Sequence, residues 1–273
     1  MAYAWLDGKL VPADEARVSL FDRGFLQGDG CFETIRIHLG APFRFDAHMA
    51  RLRRSLEILG LAGTLADAEF KQSSRSVVEA SGLQEGLVRI TVTSGEENHG
   101  PSVAVTSRPL PKAPSRARLI VAKGVRRAPG PLSQCKTISR AAESAALREA
   151  RREGAFDAIL LNPEGRIVET TARNILLVWK GTIRTPPPAD GALEGVTRAV
   201  ALEAARELGI ETSETPISMK ELLEADEVFL SGSGVGILGV YTIDTRRFES
   251  SPGPITKKIR RRYLDLIDQG TRW

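Results

Sequence analysis

A proline-rich tract in the middle of the chain limits the folds that it can adopt. Three prolines stand within residues 108–114. Proline fixes φ and removes a backbone donor, so such a tract is an extended connector rather than part of a helix or a central strand. It predicts two domains in the 273 residues, one over 1–107 and one over 115–273, with a linker over 108–114.

Apolar periodicity and turn residues predict helices and strands in both parts of the chain. The turn at Asp7-Gly8 indicates a hairpin, and Asp46 is a plausible N-cap for a helix that ends near Gly60. The predicted helices cover residues 46–60, 66–80, 141–152, 197–208 and 255–267, and the strands include 31–39, 87–93, 102–106, 118–122, 158–162, 166–169, 174–179, 182–185 and 227–230. Helices and strands do not alternate strictly, so the predicted fold class is α+β rather than a Rossmann fold or a TIM barrel.

Composition argues against several classes of protein. Hydrophobic residues at 42% and charged residues at 26% are typical of globular proteins. The longest apolar runs are too short to span a bilayer, and the N-terminus, which carries Asp7, has no apolar core of signal-peptide length. Two cysteines do not make a disulfide framework and favour a reducing cytoplasm. The three histidines lack the spacing of metal ligands, so no metal site is expected.

Lys136 is the most unusual of the nine lysines. It follows Cys135 and begins a tract that leads into an alanine-rich helix, whereas most of the others flank turns or lie among charged residues. Partial burial would lower the pKa of the amine and let it attack a carbonyl group. Its position alone does not exclude an ordinary surface lysine. Residues 232–236 are rich in glycine and are either a tight turn or a cradle for phosphate.

Several blocks of sequence, in order and at fixed spacing, resemble the class IV aminotransferases, which are the fold-type IV pyridoxal-phosphate enzymes. The resemblance covers nearly the whole chain, from about Trp5 to Leu266. It implies a two-domain fold like that of D-amino acid aminotransferase, with pyridoxal 5'-phosphate between the domains. The matching blocks are residues 22–36, 48–52, 136–140, 169–175, 185–187, 193–198 and 226–233.

The resemblance assigns roles to individual residues. Lys136 matches the lysine that binds the cofactor covalently and then moves a proton at the substrate's α-carbon. Glu169 matches the carboxylate that pairs with the pyridine nitrogen. The other cofactor-binding residues that the resemblance implies are Arg51 with the amides of Val196 and Thr197 for the phosphate, and Arg140, Asn174 and Ser233. The substrate-binding residues that it implies are Phe32, Arg89, Gly234 and Val235.

The resemblance leaves two reactions open and predicts a cytoplasmic homodimer. One is an aminotransferase that exchanges an amino group between an amino acid, such as a branched-chain one, and a 2-oxo acid such as 2-oxoglutarate. The other is an aminodeoxychorismate lyase that forms p-aminobenzoate and pyruvate, and Arg140 is similar to the residue at that position in these lyases. A net charge of +4 leaves a basic nucleic-acid-binding protein as a third hypothesis, but the arginines are scattered and aromatic residues are only 5%.

Overall fold

A computed structural model describes residues 2–61 and 63–273, which form two compact units. The N-terminal unit comprises the described part of Met1–Pro111, with Cys135–Arg140 and Ile267–Trp273. The C-terminal unit comprises Lys112–Gln134 and Ala141–Leu266. The two units divide next to Pro111, inside the tract predicted as a linker, whereas residues 135–140 and 267–273 contact the N-terminal unit rather than the domain in which the sequence placed them.

The described strands of the N-terminal unit form a six-stranded sheet with the order β2-β1-β6-β5-β3-β4 and antiparallel neighbours throughout. Asp7 and Gly8 both have positive φ between β1 and β2, which confirms the predicted hairpin. The elements are β1 Tyr3–Leu6, β2 Lys9–Pro12, α1 Arg23–Gln27, β3 Gly30–His38, β4 Ala41–Pro42, α2 Phe45–Ile58, α3 Asp67–Ala80, β5 Gly86–Thr93 and β6 Ser102–Pro109.

Side chains alternate between the two faces of this sheet. One face packs against α2 and α3 and forms the hydrophobic core, which includes Ile35 of β3, Ile90 of β5, Leu52 of α2 and Phe70 of α3. The neighbouring residues Phe32 and Arg89 therefore project from the opposite face, while Glu33 projects toward the helices.

The predicted start of α2 was wrong by two residues. The helix begins at Phe45, and its N-cap is Arg44 with φ 56°, because the chain leaves β4 through a tight left-handed turn. Asp46 lies in the first turn instead, where a carboxylate interacts favourably with the helix dipole.

The described strands of the C-terminal unit form a nine-stranded mixed sheet with the order β12-β11-β10-β13-β14-β7-β8-β9, and β15 pairs with β14. The pairs β11–β12, β14–β7 and β7–β8 are parallel. The elements are β7 Ala117–Arg126, α4 Ala141–Arg152, β8 Asp157–Leu161, β9 Ile167–Thr170, β10 Asn174–Trp179, β11 Thr182–Thr185, α5 Val196–Glu207, β12 Thr212–Glu214, α6 Met219–Glu224, β13 Glu227–Gly232, β14 Gly236–Ile243, β15 Arg246–Arg247 and α7 Pro254–Gly270.

The mixture of elements agrees with the predicted α+β class. Apolar side chains of β7, β10, β13 and β14 make the main core of the C-terminal unit, and small residues of α4 pack on β7 and β8 in a second cluster. None of the described helices combines the length and the apolar composition that crossing a bilayer requires.

Candidate active site

The segment that carries Lys136 lies in the N-terminal unit, as an antiparallel neighbour of the first residues of β3. The Phe32 N–H donates to the Lys136 carbonyl (2.9 Å), and the Ile138 N–H donates to the Gly30 carbonyl (3.0 Å). A Cβ at Gly30 would lie 2.3 Å from the Val92 carbonyl oxygen, so only glycine fits between the segment and β5. Lys136 is half-buried, as the sequence predicted.

Three cations surround the ring of Phe32 on the face of the N-terminal sheet opposite α2 and α3. The Arg89 Cζ lies 3.6 Å from the ring centroid, the Lys136 Nζ 4.8 Å and the Arg140 Cζ 6.0 Å. The structure therefore brings together four of the residues that the resemblance assigned: Phe32, Arg89, Lys136 and Arg140. Each cation also interacts favourably with the electron-rich ring.

Arg89 is a half-buried cation in this cluster. Its Nε donates to the Thr91 hydroxyl (3.1 Å), and no carboxylate of residues 2–61 or 63–273 forms an ion pair with it. Burial, together with the positive charges of Arg140 and Arg108, lowers the pKa of Arg89 to about 10. Arg89 therefore makes no structural salt bridge with the described residues, and a ligand carboxylate would satisfy the guanidinium.

Arg51 lies on the other side of β3, where it is paired with Glu33. Its Nε and Nη2 each donate to one oxygen of the fully buried Glu33 carboxylate, both at 2.7 Å. The His48 Nδ1–H donates to the same carboxylate at 2.8 Å. This bidentate pair holds the guanidinium in one orientation, and sequence analysis gave no role to Glu33.

Burial and neighbouring charges shift the pKa values of Glu33 and His48. Burial opposes ionisation of Glu33, but the charge and hydrogen bonds of Arg51, helped by His48, hold the pKa of that carboxyl well below its usual range. Burial lowers the pKa of His48, although the hydrogen bond and charge of Glu33 act in the opposite direction. Near neutral pH the group is therefore a carboxylate, a guanidinium and a neutral imidazole.

Both cysteines are buried and unbridged. Burial, with smaller effects of Cys135 and Glu33, raises the pKa of the Cys31 thiol to about 12. Neither thiol is poised as a nucleophile, in agreement with the prediction that both are small buried hydrophobes. No cluster of metal-ligating side chains occurs among the residues that the structure describes.

Glu169 lies in the C-terminal unit at the end of β9 and is buried. One carboxylate oxygen, Oε2, accepts from the Asn174 side-chain amide (3.1 Å) and from the Leu193 N–H (3.3 Å). The other oxygen, Oε1, lies 3.2 Å from the Arg127 Nε. Glu169 and Asn174, both predicted as site residues, are thus in direct contact.

Asn174 also fixes the entrance to α5. Its amide nitrogen donates to the Leu193 carbonyl (2.8 Å), and a Cβ at Gly195 would lie 1.9 Å from its Oδ1, so residue 195 must be glycine. Gly195 is the N-cap of α5 and provides no side-chain cap for the first helical amides, which belong to the buried Val196 and Thr197. A helix start with uncapped amides is a favourable site for phosphate.

The turn between β13 and β14 carries the remaining predicted residues, Ser233, Gly234 and Val235. The Val235 N–H donates to the Gly232 carbonyl (3.1 Å) and closes the turn. Ser231 precedes the turn and lies opposite Asn174 in the sheet. Its buried hydroxyl has no hydrogen-bond partner in the described part of the chain.

These features fit the cofactor that the resemblance implies. A phosphate needs N–H donors, and the start of α5 supplies them beside the glycine that Asn174 requires. A pyridine nitrogen needs a fixed carboxylate, and Glu169 is held on both oxygens. Sequence analysis missed Arg127 and Glu33, because their roles depend on partners that are distant in the chain.

Comparisons with known proteins agree with this geometry. Residues 30–243 match the family model described as amino-transferase class IV. A putative branched-chain-amino-acid aminotransferase of Methanocaldococcus jannaschii is 32% identical over 98% of this chain and 96% of its own length. The branched-chain aminotransferase of Thermoproteus uzoniensis with norvaline has a TM-score of 0.91 at 32% identity, covering 98% of this chain and 95% of that one.

Two further solved structures bear on the ligands. A branched-chain aminotransferase complexed with N-(5'-phosphopyridoxyl)-L-glutamate has a TM-score of 0.92 at 26% identity and covers 100% of this chain and 98% of its own. The 4-amino-4-deoxychorismate lyase of Pseudomonas aeruginosa has a TM-score of 0.85 at 31% identity and covers 97% and 99%. The chain is thus similar to both kinds of enzyme along its length.

Replacing Glu33 by glutamine should destabilise the protein, because it leaves the Arg51 guanidinium buried without its carboxylate. Breaking a buried ion pair costs about 3–5 kcal/mol, and we expect a loss of that size in the free energy of unfolding, measured with urea near neutral pH. Glu79→Gln, which breaks the exposed pair with Arg75, is the control and should change it by less than about 0.5 kcal/mol.

The same variant has a distinct pH dependence. The folded-state pKa of Glu33 lies below its unfolded value near 4.5, so its contribution is fully present above that value and is lost as the pH falls. The stability difference between wild type and Glu33→Gln should therefore narrow from about pH 5 to about pH 3. A difference that stays constant over this range would contradict the assignment.

Proposed function

We propose that this chain, which belongs to the class IV aminotransferase family and is a pyridoxal-phosphate-dependent aminotransferase, uses a dicarboxylic 2-oxo acid such as 2-oxoglutarate as its amino acceptor. The family, the cofactor and the transaminase reaction that the sequence predicted are confirmed by the comparisons. The identity of the acceptor rests on the cations around Phe32.

The observation that carries the proposal is the half-buried Arg89, which has no carboxylate partner among the described residues. Keeping a charge away from water is unfavourable unless a counter-charge pairs with it. Its guanidinium stacks on Phe32, so its orientation is fixed before a ligand arrives. A guanidinium binds a carboxylate by two parallel hydrogen bonds, which suits the distal carboxylate of 2-oxoglutarate.

The neighbouring cations favour a doubly charged acceptor over a singly charged one. Arg140 and Lys136 lie near the same ring as Arg89, and the repulsion from Arg140 contributes to the lowered pKa of Arg89. A second carboxylate on the ligand relieves this repulsion. A relative in complex with a phosphopyridoxyl adduct of L-glutamate, the amino acid formed from 2-oxoglutarate, supports the same class of ligand.

The amino donor in the proposed reaction is an amino acid with an apolar side chain. Relatives that match nearly the whole chain are named branched-chain aminotransferases, and one of them is complexed with norvaline. The buried ring of Phe32 offers an apolar surface beside the cations. One site would thus accept either an apolar or an acidic side chain, as exchange between the two substrates requires.

Different residues of the chain have different roles in the proposed reaction. Pyridoxal phosphate, when bound, supplies an electron-withdrawing ring that stabilises negative charge at the substrate's α-carbon. Lys136 would hold it covalently, and its amine, once released, would move the proton at the substrate's α-carbon. Glu169 would hold a proton at the ring nitrogen, while Arg51 and the first amides of α5 would bind the phosphate.

A lyase that acts on aminodeoxychorismate is the second candidate. The likeness to the Pseudomonas aeruginosa lyase and the presence of Arg140 favour it. Its substrate also carries two carboxylates, so the cations around Phe32 suit both reactions. Aminotransferases are the better-supported relatives, since they occur among both the curated proteins and the solved structures.

Arg89→Ala tests the acceptor. Losing a hydrogen-bonded charge pair is worth about 1.5–3 kcal/mol, so the KM for 2-oxoglutarate should rise about tenfold or more. The KM for pyruvate, which has no distal carboxylate, should change by less than about twofold, which is below 0.5 kcal/mol. Steady-state kinetics with both acceptors gives this ratio, and Arg75→Ala, which removes an exposed cation of α3, is the control.

Equal increases in KM for both acceptors would show that Arg89 does not bind the distal carboxylate. If the wild type transfers no amino group to 2-oxoglutarate and releases pyruvate from aminodeoxychorismate, the lyase replaces the aminotransferase.

The proposed working form is a homodimer, as the resemblance predicts. Five large apolar side chains within residues 18–26 are exposed by 57–73%: Val18, Leu20, Phe21, Phe25 and Leu26. Such a concentration of exposed apolar surface is typical of an interface. A second copy of the chain is the occupant that the family provides.

Phe21→Asp combined with Phe25→Asp should convert the dimer into monomers, because burying two carboxylates in an apolar interface is unfavourable. Sedimentation equilibrium measures the mass directly. Leu264→Asp, on the surface of α7 and 48% exposed, is the matched control and should stay dimeric. A monomeric wild type, or a double variant that remains dimeric, would refute this part of the proposal.

The reducing cytoplasm is the proposed location. Both cysteines are present as free thiols, and neither is bridged to the other. Free buried thiols are common in proteins of that compartment.

A further inference from the structure

Arg127, which follows β7, lies between two carboxylates of the C-terminal unit. Its Nη1 donates to Glu143 Oε1 (3.0 Å), and its Nε lies 3.2 Å from Glu169 Oε1. The three side chains are only 10–16% exposed. A single guanidinium thus connects the first turn of α4 to the carboxylate at the end of β9.

The remaining donors of Arg127 fix its plane. Its Nε also donates to the Gly191 carbonyl (2.9 Å) and its Nη2 to the Ser133 carbonyl (2.9 Å). Its backbone N–H donates to the Leu161 carbonyl (2.9 Å). A guanidinium with this many fixed acceptors has little freedom to rotate, so its positive charge is held in a fixed position beside Glu169.

Glu169 is consequently held from two directions. Arg127 approaches Oε1, whereas Asn174 and the Leu193 N–H donate to Oε2. Neither oxygen can move without losing a partner. The orientation of the carboxylate is therefore set by the protein before any cofactor binds.

We infer that Arg127, anchored by Glu143, is the positioning residue that orients Glu169 toward the ring nitrogen of the cofactor; this inference rests on the proposed function of Glu169. The three groups Glu143, Arg127 and Glu169 sum to one negative charge when all are ionised. This single negative charge can pair with one positive charge, such as that of a protonated pyridine nitrogen. Arg127 thus offsets the charge of one carboxylate and leaves the group's net charge negative.

Arg127 also restrains the chain that leads to Lys136. Ser133, whose carbonyl accepts from Nη2, belongs to the 3-10 turn Pro131–Gln134 and is three residues before Lys136 in the sequence. The Gln134 side chain donates to the Pro188 carbonyl (3.0 Å). Ser133 and Gln134 are thus both held by hydrogen bonds to residues outside the turn. One arginine thus influences two functional segments.

A double-mutant cycle tests whether Arg127 acts through Glu169. The variants are Arg127→Gln, Glu169→Gln and the double variant, with Arg127→Lys and Glu143→Gln as milder changes. Arg184→Gln is the matched control, because Arg184 forms an ion pair with Glu221 at a similar side-chain exposure of 18%. Urea unfolding of each apoprotein first establishes that it is folded.

Two readouts that do not depend on turnover are then measured. They are the dissociation constant of pyridoxal phosphate from the apoprotein, by equilibrium dialysis, and the pH titration of the bound cofactor's visible absorbance. Arg127→Gln and Glu169→Gln should each weaken binding about tenfold or more and shift the titration in the same direction. In the double variant, the dissociation constant should be less than about twofold higher than in either single variant.

The milder variants refine the expectation. Arg127→Lys keeps the positive charge but loses the planar set of guanidinium donors, and Glu143→Gln removes the ion pair that holds Arg127. Both variants should therefore shift the titration less than Arg127→Gln does. The Arg184→Gln control should titrate like the wild type.

Two results would overturn the inference: effects of Arg127→Gln and Glu169→Gln that multiply in the double variant, or an Arg127→Gln protein that is less stable yet titrates like the wild type. If Arg127→Gln does not fold, an unshifted titration in both Glu143→Gln and Arg127→Lys would also overturn the inference. The proposed acceptor is tested separately, by wild-type kinetics with 2-oxoglutarate. The cycle can show coupling even if that acceptor is wrong.

Discussion

The short backbone pairing between residues 135–138 and the start of β3 determines what the N-terminal unit can do. Two hydrogen bonds, from Phe32 to Lys136 and from Ile138 to Gly30, set the register. Because side chains alternate along an extended chain, this register puts the Lys136 side chain on the same face as Phe32, whose ring also meets Arg89. A shift of one residue in this pairing would turn Lys136 to the other face and separate its amine from the ring.

Asn174 has a comparable function in the C-terminal unit. It holds the carboxylate of Glu169, and it requires glycine at residue 195, where α5 begins. The group expected to contact the ring nitrogen and the amides expected to contact the phosphate are therefore positioned by one side chain. Preorganised polar groups of this kind can stabilise charge without rearranging when a ligand binds.

Much of this arrangement could be predicted from the sequence. Helix 141–152 and the strands 174–179 and 182–185 were predicted with their observed bounds, because their apolar periodicity and turn residues are clear. Lys136 and Glu169 were found through motifs of fixed spacing. Glu33 and Arg127 could not be found in this way, since each acquires its role from ion pairs with residues in other elements. Strand β14 was missed because its glycines interrupt the apolar pattern.

Borohydride reduction followed by peptide mapping tests the central assignment most directly. The purified protein is loaded with pyridoxal phosphate, reduced and digested, and the modified peptide is identified by mass spectrometry. With Lys136 as the covalent attachment point, the pyridoxyl adduct should lie on that lysine and should be absent from Lys136→Ala. An adduct on any of the other eight lysines, or a Lys136→Ala protein that is still modified at a specific site, would contradict the account.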